Sequence, residues 1–288
     1  MEKYIQIVSN SFTGYFNYLI NEITHPTWHS YFWILIILSL FFYGLELINP
    51  WRKEQPKIRQ DFWLDAFYMF FNFFIFSLIG YNALSNVFVE LFNDFLGLFG
   101  ITNMVALSVA VLPAIVQLAL LFVLKDFIQW NVHRLLHRSS FLWEFHKVHH
   151  SVKQMGFAAH LRYHWMENLV YKTIQYIPLG MIGFGLIDFF MIDLIAIAIG
   201  HFNHSNFRLK LGPLKYVFNN PEMHIWHHAK DLPEKYGVNF GISLSFWDYL
   251  FGKDYIPFDG RDIELGFEGD ESFPKGFIGQ EIYPLNKV

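Results

Sequence analysis

The chain has 288 residues, of which 53% are hydrophobic and only 16% charged, with a formal net charge of -4 and no cysteine. The missing thiols exclude disulfides, thiolate zinc sites and iron–sulfur clusters, so any bound metal must be held by nitrogen and oxygen. The charge and the lack of a basic stripe argue against a nucleic acid partner. The 34 phenylalanines exceed what a soluble core of this size would use, and the excess predicts a lipid-facing surface.

The first third of the chain predicts a surface helix and two membrane spans. Residues 1–25 carry apolar side chains at helical spacing, which indicates an amphipathic helix lying on the bilayer. Residues 31–48 and 62–81 are apolar and long enough to cross a membrane, and Asp65 lies near one end of the second span, where it can reach interfacial water. The connector at 51–59 is rich in Lys and Arg, so we expect it on the cytoplasmic side.

A third span is predicted at 104–124, where Pro113 would kink the helix. The preceding residues 82–103 contain no Lys or Arg, as expected on the opposite side of the membrane. After the third span, residues 125–167 are predicted to form cytoplasmic helices that carry the first of two histidine-rich regions. The three predicted spans thus lie within residues 31–124.

The next segment, residues 168–200, is again mostly apolar. Two helices of about 16 residues, broken near 180–185, would form a short or re-entrant membrane hairpin that returns to the cytoplasm. Residues 201–252 form the second histidine-rich region, and 253–288 read as a loop-like tail rich in Gly, Pro and acids. We therefore expect one all-α integral membrane domain with about four transmembrane helices and a cytoplasmic helical cap.

Histidines are concentrated in three short motifs. HRLLH at 133–137 has an i, i+4 pair, and HKVHH at 146–150 and HIWHH at 224–228 each contain His-x-x-His-His. On a helix, positions i, i+3 and i+4 share one face, so each run presents three imidazoles to one point. Scattered surface or core histidines would not give this spacing, so we predict metal ligands. The eight motif histidines are His133, His137, His146, His149, His150, His224, His227 and His228.

Eight imidazoles are too many for one metal. A divalent ion rarely takes more than six ligands, so the histidines predict a dimetal site. A structural zinc site would be closed with four ligands, whereas open positions on two nitrogen-held metals indicate oxygen chemistry. Two iron ions are therefore the expected cofactors, and zinc can occupy the same nitrogens in purified protein.

Neutral imidazoles leave the charge of two divalent ions uncompensated, so carboxylates are expected to accept hydrogen bonds from the distal ring nitrogens. Asp126, seven residues before His133 on the same helical face, is the best candidate. The alternative for Asp126 is an ordinary interfacial acid at the end of a span. The other acids near the histidine runs are Glu144, Glu167, Glu222 and Asp248.

HRLLH, HKVHH and HIWHH, followed by WDYLFG and preceded by apolar segments, together resemble the fatty acid hydroxylase and sterol desaturase superfamily. The resemblance covers roughly residues 105–252. It implies a membrane-embedded di-iron oxygenase of the monooxygenase type, which uses O2 and reducing electrons to hydroxylate or desaturate a lipid. Sterols, fatty acyl chains and alkylglycerols are the substrates that members of the superfamily oxidise.

Carried over position by position, the resemblance assigns the eight motif histidines as ligands and adds His204 as a ninth. His201, one helical turn earlier, is a tenth candidate, although other members often lack a histidine there. The superfamily's Arg-x-His-x-x-Glu is matched by Arg162, His164 and Glu167. We expect His164 and Glu167 beside the ligands or facing the substrate.

The resemblance also implies partners outside the chain. No glycine motif for flavin or nicotinamide and no haem-binding domain is found in the sequence, so electrons are expected from a separate protein such as cytochrome b5 or a ferredoxin. That donor would dock on the cytoplasmic face, where the histidine clusters are expected. Lipid would reach the metals along an apolar route lined by Phe184, Phe189 and Phe190, for which lipid-facing positions are the alternative. His160 is expected at the surface.

Two other functions stay open on the residues alone. A di-zinc lipid hydrolase would use the same nitrogens, but such sites usually include carboxylate ligands. A non-catalytic membrane protein that binds or transports metal would place its ligands inside the spans rather than after them. Iron content and oxygen-dependent turnover separate the three functions.

Overall fold

The computed structural model describes residues 2–101, 105 and 108–287, and within these residues it is helical with no β-strand. The all-α prediction is confirmed for this part of the chain, while the predicted start of the third span at 104 lies outside it. Two π-helical turns, Phe71–Ile75 and Ser77–Tyr81, join α3 to α4. The α-helices are α1 Glu2–Thr24, α2 Tyr31–Ile48, α3 Phe62–Phe70, α4 Asn82–Gly97, α5 Ala114–Arg138, α6 Ser140–His150, α7 Trp165–Met181, α8 Leu186–His204, α9 Pro221–His227, α10 Phe246–Leu250 and α11 Phe277–Ile282.

Four helical stretches in the described residues are long and apolar enough to cross a membrane. A hydrocarbon core about 30 Å thick requires about 20 residues of helix, and each stretch meets or approaches this length. The chain is therefore a multi-pass membrane protein by the length and composition of its helices. The four stretches are Tyr31–Ile48, Phe62–Gly97, Ala114–Arg138 and Ile187–His204.

The second and third spans differ from their predicted limits. The second continues past residue 81 to Gly97, because the non-helical backbone at Gly80 only bends the chain and no proline ends the helix. The third starts at Ala114 and runs for 25 residues, well past the predicted end at 124. Pro113 precedes this helix instead of kinking it, since a proline at a helix start removes no hydrogen bond.

The N-terminal helix α1 lies along the second span. Lys3 pairs with Glu90 at 2.6 Å and with Asp94 at 2.9 Å, and the Tyr15 hydroxyl donates to the carbonyl of Phe73 at 3.2 Å. The start of α1 thus contacts the end of the span and its middle contacts an earlier part of the span, so α1 is antiparallel to it. Its predicted position on the bilayer surface stays a prediction.

Helices α5, α7 and α8 pack around one apolar core. Leu121, Leu179 and Phe189 contribute buried side chains from the three helices in turn. A short turn joins α7 to α8, so residues 168–200 consist of two packed helices rather than one long one. Lys125, at the predicted start of the cytoplasmic region, instead forms an ion pair with Asp193 of α8 within this bundle.

The C-terminal region is folded against the histidine-rich helices rather than being a loop-like tail. Phe267 and Phe273 pack with Val148 of α6 and Tyr68 of α3 in one buried cluster. Asp270 forms an ion pair with Lys153 next to α6. The Gly- and Pro-rich composition of this region indicated a loop, but its few aromatic residues are sufficient to anchor it.

A buried ion network joins the second span to the chain after α6. Asp65 is fully buried and contacts the guanidinium groups of Arg59 and Arg162. Arg162 also donates to the Ser151 hydroxyl at 2.9 Å. The prediction that Asp65 reaches interfacial water is wrong, because two guanidinium groups of the protein take the place of that water.

The Asp65→Asn substitution should destabilise the protein strongly. Removing one charge from a buried network leaves its partners uncompensated, at a cost of about 3–5 kcal/mol. The matched control is Asp61→Asn, because the Asp61 side chain is 24% exposed and pairs with Arg162 alone. Its expected cost is below about 1 kcal/mol. Thermal unfolding in detergent measures both, and equal losses would contradict the network's importance.

Candidate metal centre

Four helices bring the histidine motifs to one end of the bundle. The last two turns of α5 carry His133 and His137, and the last residue of α8 is His204. The short helices α6 and α9 carry the two His-x-x-His-His runs. Ser139 caps the start of α6 and Asn220 caps the start of α9, in each case by accepting a hydrogen bond from a backbone N–H. These caps fix where each run begins its helical face.

The histidines form two groups, and within each group the potential ligand nitrogens all lie within 4.8 Å of one another. The groups touch, since the ring centroids of His150 and His228 are 4.5 Å apart. Nine of the ten predicted ligands are in the groups. The five-histidine group contains His133, His137, His146, His150 and His227, and the four-histidine group contains His149, His204, His224 and His228.

Hydrogen bonds to backbone carbonyls fix which nitrogen of a ring faces its group. A carbonyl oxygen can only accept, so a ring Nδ1 in contact with one must carry the proton. The Nε2 lone pair of that ring is then free to bind a cation. Four rings are held this way: His133 to Phe240 at 2.8 Å, His149 to Arg162 at 3.0 Å, His204 to Gly200 at 2.8 Å and His227 to Val238 at 2.8 Å.

The spacing of the Nε2 atoms in the four-histidine group fits a shared metal ion. The Nε2 atom of His204 lies 3.0 Å from that of His224 and 3.3 Å from that of His149. The Nε2 atom of His228 lies 3.3 Å from that of His224. Nitrogens held about 2.0–2.1 Å from one tetrahedral ion would be separated by about 3.3 Å. These three separations are therefore close to those that one ion requires.

The five-histidine group has buried nitrogens that no protein group satisfies. The Nε2 atoms of His137, His150 and His227 lack a hydrogen-bond partner, and those of His133 and His146 lie 3.2 Å apart. Buried polar atoms without partners are rare in proteins and call for an explanation. A second ion at this point would bind all five, so the donor set fits two metals held by nitrogen alone.

Burial keeps the imidazoles outside the membrane-spanning helices neutral. It lowers the pKa of His149 to about 3. Burial, together with the neighbouring rings, also lowers the pKa values of His146 and His150 well below their ordinary range. A metal requires the neutral form of imidazole, so these rings are ready to bind at physiological pH. Burial has the same effect on the pKa values of His224, His227 and His228.

The carboxylate beside the groups is Glu167. The Nδ1 atom of His146 donates to Glu167 Oε2 at 2.9 Å, and both side chains are buried. Such a bond orients the ring and makes its other nitrogen a better ligand. The resemblance predicts Glu167 beside the ligands or facing the substrate, and its side chain contacts His146 and lines the cavity described below.

Asp126 is not brought to a ring nitrogen. It accepts hydrogen bonds from the backbone N–H groups of Ser243 and Leu244, at 3.0 and 3.3 Å, and from Trp247 Nε1 at 2.9 Å. Two helical turns, about 10 Å of axial rise, separate it from His133 on α5. Asp126 therefore anchors the loop before α10 instead of a ligand.

Asp248 holds the same loop from the other side. It accepts from Trp130 Nε1 at 2.8 Å and from the backbone N–H groups of Phe240 and Gly241, at 2.9 and 2.7 Å. The carbonyl of Phe240 in turn accepts from His133. A ligand on α5 is thus oriented by a loop that acids on α5 and α10 hold in place.

His201 lies outside both groups. Its Nε2 atom is 3.4 Å from the Ser39 hydroxyl and its Nδ1 atom is 3.1 Å from Nδ1 of His160. His160 is itself partly buried rather than at the surface, and its ring lies 5.2 Å from that of His204. One helical turn from His204, the His201 ring therefore points toward α2 instead of the other ligands.

His164 is also turned away from the groups. Its Nδ1 atom accepts from the backbone N–H of Met166 at 3.1 Å, which caps α7, and its Nε2 atom donates to the carbonyl of Glu281 at 3.0 Å. The side chain thereby fixes the start of the helix that carries Glu167. It acts on the site through this helix and the C-terminal region.

Two of the carbonyls that orient the rings belong to residues that no sequence motif marks. Val238 and Phe240 flank Asn239, which adopts a left-handed backbone with φ 55°. The Asn239 side chain donates to the carbonyls of Met223 and Tyr255, at 2.9 and 2.8 Å. Asparagine tolerates this conformation well. The nearby WDYLFG motif is the only sequence signal for this loop.

A cavity of about 960 Å³ extends from the histidine groups into the bundle. Rings of both groups line its wall at one end. Phe184, Phe189 and Phe190, the aromatics predicted along a lipid route, also line it. Ligand pockets of about 300–1,000 Å³ hold molecules of drug size, so the cavity can hold a substantial part of a lipid.

Residues 118–253 match the fatty acid hydroxylase family. The matched segment is slightly less than half of the 288-residue chain. It contains all nine histidines of the two groups as well as Asp126, Glu167 and Asp248. The resemblance read from the motifs over residues 105–252 is therefore confirmed. The hydroxylase-family segment also includes α7 and α8, which line the cavity.

Curated relatives of the hydroxylase-family segment act on lipids or long-chain aldehydes according to their names. The ornithine lipid hydroxylase of Rhizobium tropici is 33% identical over 61% of this chain and 52% of its own length. The alkylglycerol monooxygenase of Caenorhabditis elegans is 28% identical over 44% of this chain and 25% of its own length. A very-long-chain aldehyde decarbonylase of Oryza sativa subsp. japonica is 26% identical over 48% of this chain and 46% of its own length. The chain thus spans at most about half the length of these relatives. No solved structure shows significant similarity.

The Glu167→Gln substitution should weaken metal binding without removing a ligand. Loss of a carboxylate that orients a ligating ring typically costs about tenfold to hundredfold in metal affinity. Titration of the metal-depleted protein with Fe²⁺ or Zn²⁺ measures this change. The control is Glu144→Gln on α6, whose carboxylate pairs with Lys147 at 2.5 Å instead of with a ring. Equal affinities for the two variants would show that the Glu167 contact has no effect on the metal.

Substitutions one helical turn apart on α8 should separate a ligand from a neighbour. His204→Ala is expected to lower the bound metal by about one ion per chain, because a four-nitrogen site loses one donor. His201→Ala is expected to leave the metal content unchanged. Elemental analysis of both purified variants gives the result. A loss of metal in His201→Ala would restore His201 to the ligand set.

Proposed function

We propose that the protein is a membrane-bound di-iron oxygenase that hydroxylates, or alternatively desaturates, a membrane lipid. The observation that carries the proposal is the pair of touching all-histidine groups at the end of a lipid-sized cavity. The relatives named as a lipid hydroxylase and an alkylglycerol monooxygenase support oxygen insertion into a lipid. Two iron ions bound by these groups would supply activation of O2 for cleavage of an unactivated C–H bond.

The balance of the reaction requires a reductant. Hydroxylation converts C–H to C–OH with one atom of O2, and the other atom leaves as water after taking up two electrons and two protons. We infer a separate electron-donor protein, such as a cytochrome b5 or a ferredoxin, because the chain shows no motif for a redox cofactor. That donor would dock near the histidine groups.

The residues of the chain would perform three tasks in this reaction. Backbone carbonyls and Glu167 hold the rings with their Nε2 atoms toward the metals, so no reorganisation is needed when metal binds. The cavity walls exclude water from the reacting C–H bond. The aromatic wall formed by Phe184, Phe189 and Phe190 would bind the acyl part of the substrate.

The proposed orientation places the histidine groups on the cytoplasmic side. The connector before the second span, rich in Lys and Arg, contacts residues beside the groups. Trp51 N donates to the carbonyl of Asn206 at 2.9 Å, and an Arg52 guanidinium nitrogen donates to the carbonyl of Met155 at 2.9 Å. A basic connector is favoured in the cytoplasm, so the neighbouring metal centre would lie there too.

We further propose that α7 and α8 form a hairpin that enters the membrane and returns. Glu167 at the start of α7 and His204 at the end of α8 both belong to the site, so the chain enters and leaves at the same end. The 17 residues of α7 are about 26 Å long, less than the roughly 30 Å hydrocarbon core. A re-entrant hairpin satisfies both constraints.

The two other functions have less support. A di-zinc hydrolase usually has carboxylate ligands, and within the described residues both groups contain histidine only. A transport protein would bind metal near the middle of its spans, whereas His133, His137 and His204 lie in the last turns of α5 and α8, at the ends of two spans. Neither alternative accounts for the cavity between the groups and the aromatic wall.

The test is anaerobic reconstitution with Fe²⁺ followed by supply of a reductant, O2 and total membrane lipids. We expect about two iron ions per chain and a lipid product heavier by one oxygen atom, labelled from ¹⁸O2. His149→Ala should abolish the product, because it removes a donor from the four-histidine group. Lipid cleavage without O2 would support the hydrolase instead, and metal flux across vesicles would support the transporter.

A further inference from the structure

The middle of the cavity wall is polar although it lies among membrane helices. Lys125, Lys172 and Asp193 all line the cavity. Charged side chains inside a membrane domain are costly and usually serve a function, so each needs a partner. The fourth charged residue of the wall, Glu167, is bonded to His146, so one of the two lysines lacks an acidic partner.

The Asp193 carboxylate already has partners within the protein. It forms an ion pair with Lys125 and accepts a hydrogen bond from the Tyr176 hydroxyl at 3.1 Å. Both carboxylate oxygens are thereby used, and the pair joins α5 to α8. This contact is sufficient to explain Lys125 and Asp193 as structural residues of the bundle.

Lys172 has no such explanation. In the described part of the chain no hydrogen bond or ion pair involves its ammonium group, which lies over the ring of Tyr81 at 4.7 Å from the centroid. An aromatic face stabilises a cation but does not neutralise it. The cavity therefore presents a cation that lacks an anion.

Gln175 provides a second, independent sign of a missing ligand. It lies three residues after Lys172, on the same face of α7, and also lines the cavity. Its side chain is only 5% exposed, yet its Nε2 atom has no hydrogen-bond partner. A buried amide donor without a partner is destabilising unless another group accepts a hydrogen bond from it.

We propose that Lys172 and Gln175 form a binding site for the anionic group of the lipid substrate, a phosphate or a carboxylate. Both residues donate hydrogen bonds and neither finds an acceptor in the protein, which is the arrangement that an oxyanion completes. The proposal rests on the proposed function for the identity of the cavity as the substrate site.

The position of this site limits which carbon is oxidised. Along α7, Lys172 and Gln175 are five and eight residues beyond Glu167, which contacts the ligand His146. These separations correspond to about 7–12 Å of helical rise. The oxidised carbon is therefore expected near the polar end of the lipid.

Binding of simple amphiphiles tests the site without turnover. The full-length chain in a maltoside detergent should bind dodecyl phosphate and dodecanoate more tightly than dodecanol. Lys172→Met should lower the affinity for both anions about tenfold or more, as expected for a charge-assisted bond, and leave that for dodecanol unchanged. Gln175→Leu should lower the anion affinities about threefold to tenfold. Lys235→Met, which removes an exposed lysine that also lies over a tyrosine ring, is the control and should have no effect.

Three results would overturn the site. These are equal affinities for dodecyl phosphate and dodecanol in the wild type, an unchanged preference in both α7 variants, and binding of inorganic phosphate as tight as that of dodecyl phosphate. The last would identify a free-anion site instead of a lipid site. These measurements need no electrons, so their failure is distinct from absence of O2-dependent oxidation, which would refute the proposed function alone.

Product analysis tests the position of oxidation. With hexadecyl phosphate as substrate, fragmentation of the product should locate the new hydroxyl group in the half of the chain next to the phosphate. A hydroxyl group at the methyl end would overturn the inferred position of the head group.

Discussion

The structure depends on nine imidazole rings sharing one small buried volume. Nitrogen lone pairs at 3.0–3.3 Å from each other gain little from the protein itself, and several buried Nε2 atoms have no partner. Such an arrangement is costly unless cations occupy the space between the rings. The requirement to converge brings together segments that are about ninety residues apart in sequence, and the rest of the fold supports this convergence.

The support is a closed circuit of contacts around the loop before α10. Asp126 on α5 accepts a hydrogen bond from the backbone of the loop, and Trp130 on α5 donates one to Asp248 on α10. Asp248 also accepts from the backbone N–H of Phe240, and the Phe240 carbonyl orients His133, which is again on α5. Because every bond in this circuit is buried, the orientation of the His133 ring is coupled to the packing of α10 and of the loop before it. The histidine groups are therefore preorganised by the fold.

The same helices that hold the ligands also form the cavity. α5 contributes His133, Gln129 and Lys125 in succession along its length. α7 contributes Glu167, Lys172 and Gln175, and Phe184 follows it. The wall consequently changes from ligand to polar to apolar character in one direction.

Sequence alone determined the helical class and the first span at residues 31–48. It also singled out the nine proposed ligands that the structure brings together in two groups. These features depend on local pattern: hydrophobic length for a span, and i, i+3, i+4 spacing for imidazoles on one helical face. Tertiary structure decided the remainder. His201 has suitable spacing but faces Ser39, Asp126 has a suitable position but binds a loop, and Asp65 is buried between two arginines. The direction in which a side chain points relative to a distant segment depends on how helices pack, and the carbonyls that orient the rings have no side-chain signature. Only the folded chain could therefore show which polar groups meet and which, like Lys172 and Gln175, are left for a ligand.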